Sequence, residues 1–359
     1  MTFGFRLGAV AVAASVLWAV AYSGAVVAAP RSADDARNAP RTTLTPFRSD
    51  AEVVEFLKRV RQTRARYQTA MPPPPSPAAE APAEAAPAAA DKAESESITN
   101  TQEAGVDEGG IVKVRGDILI ILRRGRLFTV STRQGELRPV DSINAYPPGA
   151  DARGDWYDEM LVAGNRVIVV GYSYSRGGTE INRFRLDNAG RLSFEDAYHL
   201  RSNDYYSSRN YASRLIGSQL IVYSPLYLPY NVADSLEWLP GLRRWSGNPR
   251  AGFTRIVSSR EIYVPRPWRD AKEVDIAALH TVTTCDLSAP VLRCRGTSVL
   301  GPAGRTFYVS AKGVYVWATQ YRWGRDERET APSSLLFRMP LDGGAPSAIG
   351  VRGGPTDQF

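Results

Sequence analysis

Residues 116–121 read Gly-Asp-Ile-Leu-Ile-Ile, a glycine followed by a short apolar run, and this arrangement occurs four times along the chain. The other three copies begin at Gly164, Gly217 and Gly313. The first three glycines are roughly 50 residues apart, and the last interval is about twice as long. Each glycine also follows another apolar segment, so each unit is predicted to open with a tight hairpin. Its turn requires a positive φ, which glycine adopts readily.

Two further strands are predicted in each unit. In the first unit they cover residues 126–132 and 137–144, on either side of a Gln-Gly turn. Equivalent pairs follow in the second and fourth units, at residues 180–186 with 192–200 and at residues 334–340 with 345–351. Four antiparallel strands in a repeat of about 50 residues are typical of a propeller blade. The sequence therefore predicts an all-β fold, a β-propeller with about four blades between residues 98 and 359.

The third unit is interpreted as one blade with an insertion at about residues 225–272. Its outer strands, predicted at residues 279–286 and 291–300, place the only two cysteines, Cys285 and Cys294, opposite each other. An exported chain meets an oxidising environment, so a disulfide is the favoured state. Free thiols or a metal site are the alternatives, but His280 is the only histidine nearby and a fourth ligand would be missing.

The insertion is rich in aromatic and arginine residues. Long loops on a rigid scaffold are where binding residues concentrate. These rings either contact a ligand or simply pack on the propeller. The candidate binding residues are Trp238, Arg243, Arg244, Trp245 and Trp268.

The N-terminus predicts export. Residues 1–28 form a signal peptide pattern: Arg6 precedes a long apolar stretch, and the small residues at 26 and 28 place cleavage after Ala28. A retained membrane anchor is the alternative, because the stretch is almost long enough to span a bilayer. The predicted location is secreted or periplasmic, at the cell envelope, with no stable membrane span after cleavage.

Residues 29–70 are predicted to contain one amphipathic helix, with Ser49 as N-cap and Glu52 closing a capping box. Its apolar positions suit docking on the main domain or on a partner, and its basic residues suggest anionic lipid as the alternative. Residues 71–97 are rich in proline and alanine, so a disordered linker is predicted there. The apolar positions of the helix are Val53, Phe56, Leu57 and Val60.

The stretch from Thr99 to Lys113 fits the pattern T-N-x-Q-x-x-G-V-D-E-x-D-I-V-K at all but one of its defined positions. It resembles the entry motif of a bacterial and archaeal family of secreted proteins with a C-terminal β-propeller domain. The exception is Gly110, where the family usually carries aspartate, so no turn or ion-binding role is transferred to it. The resemblance implies an exported propeller and assigns no catalytic residues. It also implies further blades, and thus a chain truncated at the C-terminus.

The chemistry for catalysis is sparse. No nucleophile elbow, P-loop or dinucleotide fingerprint occurs, and His199 and His280 are the only histidines. Clustered acids could serve acid–base chemistry or bind calcium, but turn caps explain them, because their spacing matches no calcium loop. These acids are Asp107, Glu108, Asp151, Asp155, Asp158 and Glu159.

The predicted function is a non-catalytic scaffold that binds a protein or a glycan at the cell envelope. The first alternative is a hydrolase whose carboxylates, such as Asp155 and Glu159, lie at the propeller mouth. The second is an envelope structural protein tethered by its N-terminal segment. No cofactor, metal site or nucleic-acid partner is predicted. The net charge of +7 comes from dispersed arginines, which suit a solvated surface or an anionic partner. Self-association is predicted if four blades stand alone.

Overall fold

The computed structural model describes residues 41–42, 44–70, 104–203, 213–229, 232, 235–270, 276–320 and 334–355. The predicted signal peptide and the predicted linker lie outside these residues.

Three short strands and one long helix precede the first blade. They are β1 (Arg41–Thr42), β2 (Leu44–Pro46), α1 (Asp50–Ala70) and β3 (Asp107–Glu108). The strands of blades 1 and 2 follow, and they are β4 (Val112–Arg115), β5 (Ile118–Arg123), β6 (Arg126–Ser131), β7 (Arg138–Asn144), β8 (Trp156–Ala163), β9 (Arg166–Ser173), β10 (Gly178–Leu186) and β11 (Leu192–Leu200). The remaining elements are β12 (Ser213–Ile216), β13 (Gln219–Tyr227), β14 (Gly241–Arg244), β15 (Thr254–Arg255), β16 (Ile262–Pro265), α2 (Arg266–Arg269), β17 (Ala278–Asp286), β18 (Arg293–Gly301), β19 (Gly304–Ser310), β20 (Gly313–Thr319), β21 (Ser334–Pro340) and β22 (Ser347–Val351).

The described strands form four sheets, and each contains one antiparallel four-stranded blade. Blade 1 is β4 to β7, blade 2 is β8 to β11, blade 3 is β12, β13, β17 and β18, and blade 4 is β19 to β22. The four-blade pattern predicted from the glycine repeats is therefore present. Cys285 and Cys294 pair directly across β17 and β18 and form the predicted disulfide.

Three of the four hairpin glycines have the predicted conformation. Gly116, Gly164 and Gly217 have φ values of 54°, 59° and 59°. The prediction was wrong at Gly313, whose φ is not in the positive region. There the hydroxyl of Ser310 accepts hydrogen bonds from the backbone N–H groups of the turn, and a Cβ on Gly313 would lie 3.1 Å from the Met339 carbonyl oxygen. Close strand packing, rather than turn geometry, accounts for this glycine.

The insertion extends two neighbouring sheets instead of forming a free loop. Strand β14 pairs with β11, and β15 pairs with β14, so both add strands to the edge of the blade 2 sheet. Strand β16 pairs in parallel with β18 on the outside of blade 3, and β2 pairs with β16. In blade 4 the equivalent outer edge is paired with β1. These additions pair the backbone groups of outer strands that would otherwise be open to other chains.

Helix α1 begins where its capping residues predict. The Glu52 N–H donates to Ser49 Oγ over 3.3 Å. The carboxylate of Glu52 accepts from the Arg48 N–H over 2.6 Å, one residue before the position that a regular capping box uses. The apolar stripe of the helix is fully buried against Leu226, Leu279 and Leu300 and their neighbours. The helix thus docks on blade 3 and its insertion, and this stripe is not available to lipid. No helix among the described residues has the length and apolar character that a membrane crossing requires.

Consecutive blades pack face to face. One face of blade 1, with Ile120 and Leu127, packs on Val169 and Phe184 of blade 2. The opposite face of blade 2, with Ile168, packs in a second cluster that continues through blades 3 and 4. In blades 2 and 3 the alternating side chains of the central strands are therefore divided between two interfaces, which explains the continuous apolar runs there.

Candidate binding site

Residues 107–113 of the family-like motif join three blades. Strand β3 pairs with β12 of blade 3, and Gly110 exchanges backbone hydrogen bonds of 3.2 and 2.9 Å with Met160 of blade 2. Two residues later the chain enters β4 of blade 1. The segment therefore ties together the first strands of all three blades.

A buried ion pair fixes this segment. The Lys113 ammonium donates to Asp107 Oδ1 over 2.6 Å and to the Glu108 carbonyl oxygen over 2.7 Å. On the blade 3 side the Arg214 guanidinium lies 3.4 Å from the Glu108 carboxylate. Burial raises the pKa of Asp107, and the hydrogen bond from Lys113 opposes that change. Lys113 is completely enclosed, so the charged residues of the motif act in blade assembly.

Glu159 lies beside this segment and is also enclosed. Its Oε2 accepts a hydrogen bond from the Ser213 hydroxyl of blade 3, and a Cβ on Gly109 would lie 3.0 Å from the same oxygen. Its Oε1 has no hydrogen-bond partner among the described residues. Burial raises the pKa of Glu159 to about 8, against the opposing hydrogen bond from Ser213. The carboxyl group is protonated at neutral pH and is closed to a substrate.

A second buried network lies within blade 2, and we call it the Arg176 cluster: Arg176, Asp155, Tyr157, Glu180 and His199. The Arg176 guanidinium donates to Glu180 Oε1 over 2.7 Å and to Asp155 Oδ2 over 2.6 Å. The hydroxyl of Tyr157 donates to Glu180 Oε2 over 2.8 Å, and His199 Nε2 lies 2.8 Å from Glu180 Oε1. The Asn182 amide also donates to Glu180 Oε2 over 3.3 Å, so four side chains hold this one carboxylate.

Protonation of this cluster follows from its contacts. Burial raises the pKa of Glu180, but the hydrogen bond and charge of His199, the charge of Arg176 and the Tyr157 hydroxyl outweigh it and lower the pKa to about 2. Burial raises the pKa of Asp155, against the charge of Arg176. Burial and the neighbouring Glu180 charge raise the pKa of Tyr157. The cluster therefore stays ionised at Glu180 and Arg176 throughout the physiological range.

An open cleft lies at the boundary of blades 1 and 2, directly outside the Arg176 cluster. Its volume is about 560 Å³. The half-buried rings of Tyr146 and Trp156 form part of its wall. The Tyr146 ring packs on Tyr157 with a centroid distance of 5.9 Å, and the Trp156 ring stacks on Tyr172 with a centroid distance of 6.2 Å. Exposed cations stand at its rim. The lining comprises Arg124, Gly125, Tyr146, Ala150, Asp151, Ala152, Arg153, Asp155, Trp156, Tyr157 and Asp158.

The rim charges are freely solvated. Arg153 donates to both oxygens of Asp151 over 2.7 to 3.1 Å, and its side chain remains 91% exposed. These hydrogen bonds lower the pKa of Asp151 to about 2. Arg124 occupies the β5–β6 turn with a φ of 50°, next to Gly125 at 70°. Two positive-φ residues in a row are typical of a tight hairpin turn, and this turn fixes Arg124 at the entrance.

The five predicted binding residues are divided between two places. Trp238 and Trp268 are half-buried and pack beside helix α1, where the Trp238 indole N–H donates to the Val232 carbonyl over 3.1 Å. Arg243 is buried and donates to the Arg176 carbonyl over 2.5 Å, while the ring of Trp245 lies 5.7 Å from the Arg176 guanidinium carbon. Arg244 is exposed at the end of β14, 3.8 Å from Asp196. The structure does not bring the five together, and their ligand role stays a prediction.

The two carboxylates proposed for a hydrolase are also separated. Asp155 pairs with Arg176, whereas Glu159 contacts Ser213 of blade 3. A β-bulge between Tyr157 and Glu159 reverses the alternation, so Tyr157 packs toward blade 1 and Glu159 toward blade 3. His280 is enclosed as well: Nε2 donates to the Pro302 carbonyl over 2.7 Å and Nδ1 accepts from Tyr223 over 2.9 Å.

Sequence reasoning missed Arg176, Glu180 and the aromatic wall of the cleft. A signal for the first two was present. Strand β10 was predicted between two packed neighbours, yet it carries Glu180, Asn182 and Arg183, and buried charges require partners. Within the described part of the chain, no group of three or more histidine, cysteine, aspartate or glutamate residues is placed to bind a metal ion.

Comparison with known families agrees with this architecture. The family model described as a beta propeller domain matches residues 96–359. A search of curated proteins finds no match to the chain. The match begins three residues before the entry motif and includes all four blades. The chain therefore belongs to the beta propeller domain family.

Proposed function

We propose that the protein is an exported, non-catalytic scaffold that binds a protein or a glycan at the cell envelope, and that the cleft between blades 1 and 2 is its binding site. The observation that carries this proposal is a division of roles among polar groups. The carboxyls and imidazoles suited to acid–base chemistry are enclosed and engaged, as in Glu159 and His280. The groups open to solvent at the cleft are rings, guanidinium groups and the Asp151 carboxylate, which is engaged by Arg153.

Several features support this type of ligand. Tyr146 and Trp156 offer flat apolar surface with a polar edge, which suits the faces of sugar rings and the side chains of peptides alike. Arg124 and Arg153 add charged donors beside them. The Arg176 cluster holds the wall in place from behind, so little ordering is needed when a ligand binds. The disulfide supports an oxidising compartment.

The test is binding by matched variants of the full chain. A panel of envelope glycans and peptides is measured by calorimetry or interferometry. We expect Tyr146→Ala and Arg124→Ala each to weaken a bound ligand at least tenfold. Arg133→Ala is the control, since Arg133 is equally exposed but lies at the other end of β6. A ligand that binds all three variants equally would place its site elsewhere.

A hydrolase screen separates the proposal from its enzymatic alternative. Turnover that is lost in Asp155→Asn, with the fold and binding retained, would show that the cleft is an active site and overturn the scaffold function. Specific binding without turnover is the result expected here.

A further inference from the structure

A second pocket lies between the end of β11 and the insertion. Its volume is about 460 Å³, which is within the range of small-molecule sites. It shares no lining residue with the cleft between blades 1 and 2, so a ligand here goes beyond the proposed function. We call it the insertion pocket, and the residues that decide its chemistry are Arg201, Leu236, Glu237, Leu239, Phe253 and Arg255.

Arg201 places a fixed cation in the wall of this pocket. The residue follows β11 directly, and its backbone N–H donates to the Gly241 carbonyl over 2.9 Å, which continues the pairing with β14. Its guanidinium donates to the Leu239 carbonyl over 3.3 Å and lies 4.3 Å from the centroid of the Phe253 ring. The planar group is therefore oriented before a ligand arrives, which reduces the ordering that binding requires.

The hydrogen bonds of Arg201 leave most of its donors unused. An arginine side chain carries five N–H donors, and in the described part of the chain the guanidinium of Arg201 hydrogen-bonds only to the Leu239 carbonyl. No carboxylate of the described residues forms an ion pair with it. Burial lowers the pKa of Arg201, and the negative charge of Glu237 opposes that change. A partly buried cation without a paired anion favours an anionic ligand.

A second guanidinium strengthens the positive charge at this place. Arg243 is buried and lies 4.5 Å from the centroid of the same Phe253 ring. Its hydrogen bonds within the described residues go to the backbone carbonyls of Arg176, Pro249 and Ala251, and among these residues its buried Nε has no partner. Two guanidinium groups thus share one phenyl ring, and backbone carbonyls alone offset their charge.

The other charges of the pocket limit the kind of anion. Arg255 is already paired, because both oxygens of Asp50 accept from its guanidinium over 2.9 and 3.0 Å. Glu237 is exposed and adds a negative charge to the lining. A dianion such as phosphate would be repelled by Glu237, whereas a carboxylate brings a single charge and matches the planar donors of Arg201.

Apolar surface beside the cation indicates the rest of the ligand. Phe253 and Leu236 are half-buried, and Leu239 is enclosed. We propose that the insertion pocket binds a small monocarboxylic acid with an apolar body, the carboxylate on the remaining N–H groups of Arg201 and the body against Phe253 and Leu236. Arg243 is a positioning residue in this site, since it packs on the ring that carries Arg201.

The test is ligand-observed NMR on the purified full chain, with hexanoate and phenylacetate as probes. Hexanamide and phenylacetamide are the neutral controls, acetate is the control without an apolar body, and inorganic phosphate is the competitor. We expect each apolar acid to bind about tenfold or more tightly than its amide, because only the acid uses the charge of Arg201. Acetate should bind more weakly than hexanoate, and phosphate should not displace either probe.

Three variants locate the site. Arg201→Gln should weaken both acids about tenfold or more and leave the amides unaffected. Glu237→Gln should tighten both acids about two- to threefold, since it removes a repelling charge. Arg250→Gln is the matched control: it removes the same charge from the same insertion at an exposed position outside the pocket, and should change nothing.

Glu237→Gln keeps the test decisive if Arg201→Gln fails to fold, because Glu237 is exposed. The melting temperature of each variant identifies such a failure. Absence of binding to the unmodified chain, equal binding of acid and amide, displacement by phosphate, or unchanged affinity in Glu237→Gln would each overturn the inference. Acid binding that a folded Arg201→Gln protein retains in full would do so as well.

Discussion

Replacing Glu159 by glutamine should remove a large part of the pH dependence of stability. The pKa of this carboxyl rises from an ordinary value of 4.5 to about 8 because the side chain is fully enclosed. Between these two values the unfolded chain loses the proton while the folded chain keeps it. The stabilising contribution of the Glu159 carboxyl is therefore fully present below pH 4.5 and declines as the pH rises toward 8. Glutamine has the same shape and no proton to lose.

The magnitude follows from the size of this window. Between the unfolded and the folded pKa of this group, each added pH unit lowers the free energy of unfolding by about 1.4 kcal/mol. Between pH 5 and pH 7 the free energy of unfolding of the unmodified chain should fall by about 2.5 kcal/mol through this group alone. Glu159→Gln should lose that component, so the difference between the two proteins should grow in favour of the variant as the pH rises.

The assay is urea denaturation at pH 5, 6 and 7 with the disulfide intact. The comparison rests on the change with pH rather than on absolute stability, because the glutamine amide also alters the contact with Ser213. Glu136→Gln is the matched control: this residue is exposed beside Arg138, and its substitution should leave the pH dependence unchanged. Parallel pH profiles for Glu159→Gln and the unmodified chain would refute the reasoning.

Three further outcomes test other parts of the molecule. Phe56→Ala should reduce the free energy of unfolding by about 3–5 kcal/mol in urea denaturation, since the ring is buried between helix α1 and blade 3; an effect below about 1 kcal/mol would show that the helix is not docked. The double change Cys285→Ala and Cys294→Ala should lower stability by about 2–3 kcal/mol, the cost of releasing a loop of this length, and a reducing agent should then have no further effect. Arg176→Met should cost about 3–5 kcal/mol because it leaves Asp155 and Glu180 buried without their cation; Arg153→Met, which breaks an exposed pair, should cost less than about 1 kcal/mol by the same denaturation assay.

Local patterns were enough to predict the blades. Glycines at hairpin turns and apolar runs of strand length depend only on a few neighbouring residues. From these patterns the bounds of β10, β11 and β21 were predicted to within two residues of those observed. The disulfide followed from the same reasoning, since the turn between β17 and β18 sets Cys285 opposite Cys294. Ser49 and the stripe through Phe56 likewise defined the start and the buried side of α1.

The candidate site could not be predicted in the same way, because its residues meet through pairing between distant strands. Asp155 and Glu159 were considered together as carboxylates at the propeller mouth, but a bulge between Tyr157 and Glu159 separates them, and a bulge depends on how β8 pairs with β9. Arg243 was expected in a loop, but β14 pairs with β11 and turns its guanidinium toward the carbonyl of Arg176. The ligand role predicted for the insertion residues stays a prediction, and the partners that these side chains have in the structure depend on strand register.

The two buried glutamates of blade 2 should together contribute a stability maximum on the acidic side of neutrality. The pKa of Glu180 is shifted in the opposite direction to that of Glu159, because contacts with His199, Arg176 and Tyr157 lower it from 4.5 to about 2. Its stabilisation is present above pH 4.5 and is lost as the pH falls toward 2, about 3 kcal/mol in all. The contribution of Glu159 to the free energy of unfolding falls only as the pH rises beyond 4.5. The combined contribution of both groups therefore peaks near pH 4.5. Glu180→Gln should flatten the acidic limb and leave the neutral limb unchanged, whereas Glu159→Gln should do the reverse. If either substitution altered both limbs equally, the two carboxyls would titrate as one coupled group, and the separation of the Arg176 cluster from the Glu159 site would be wrong.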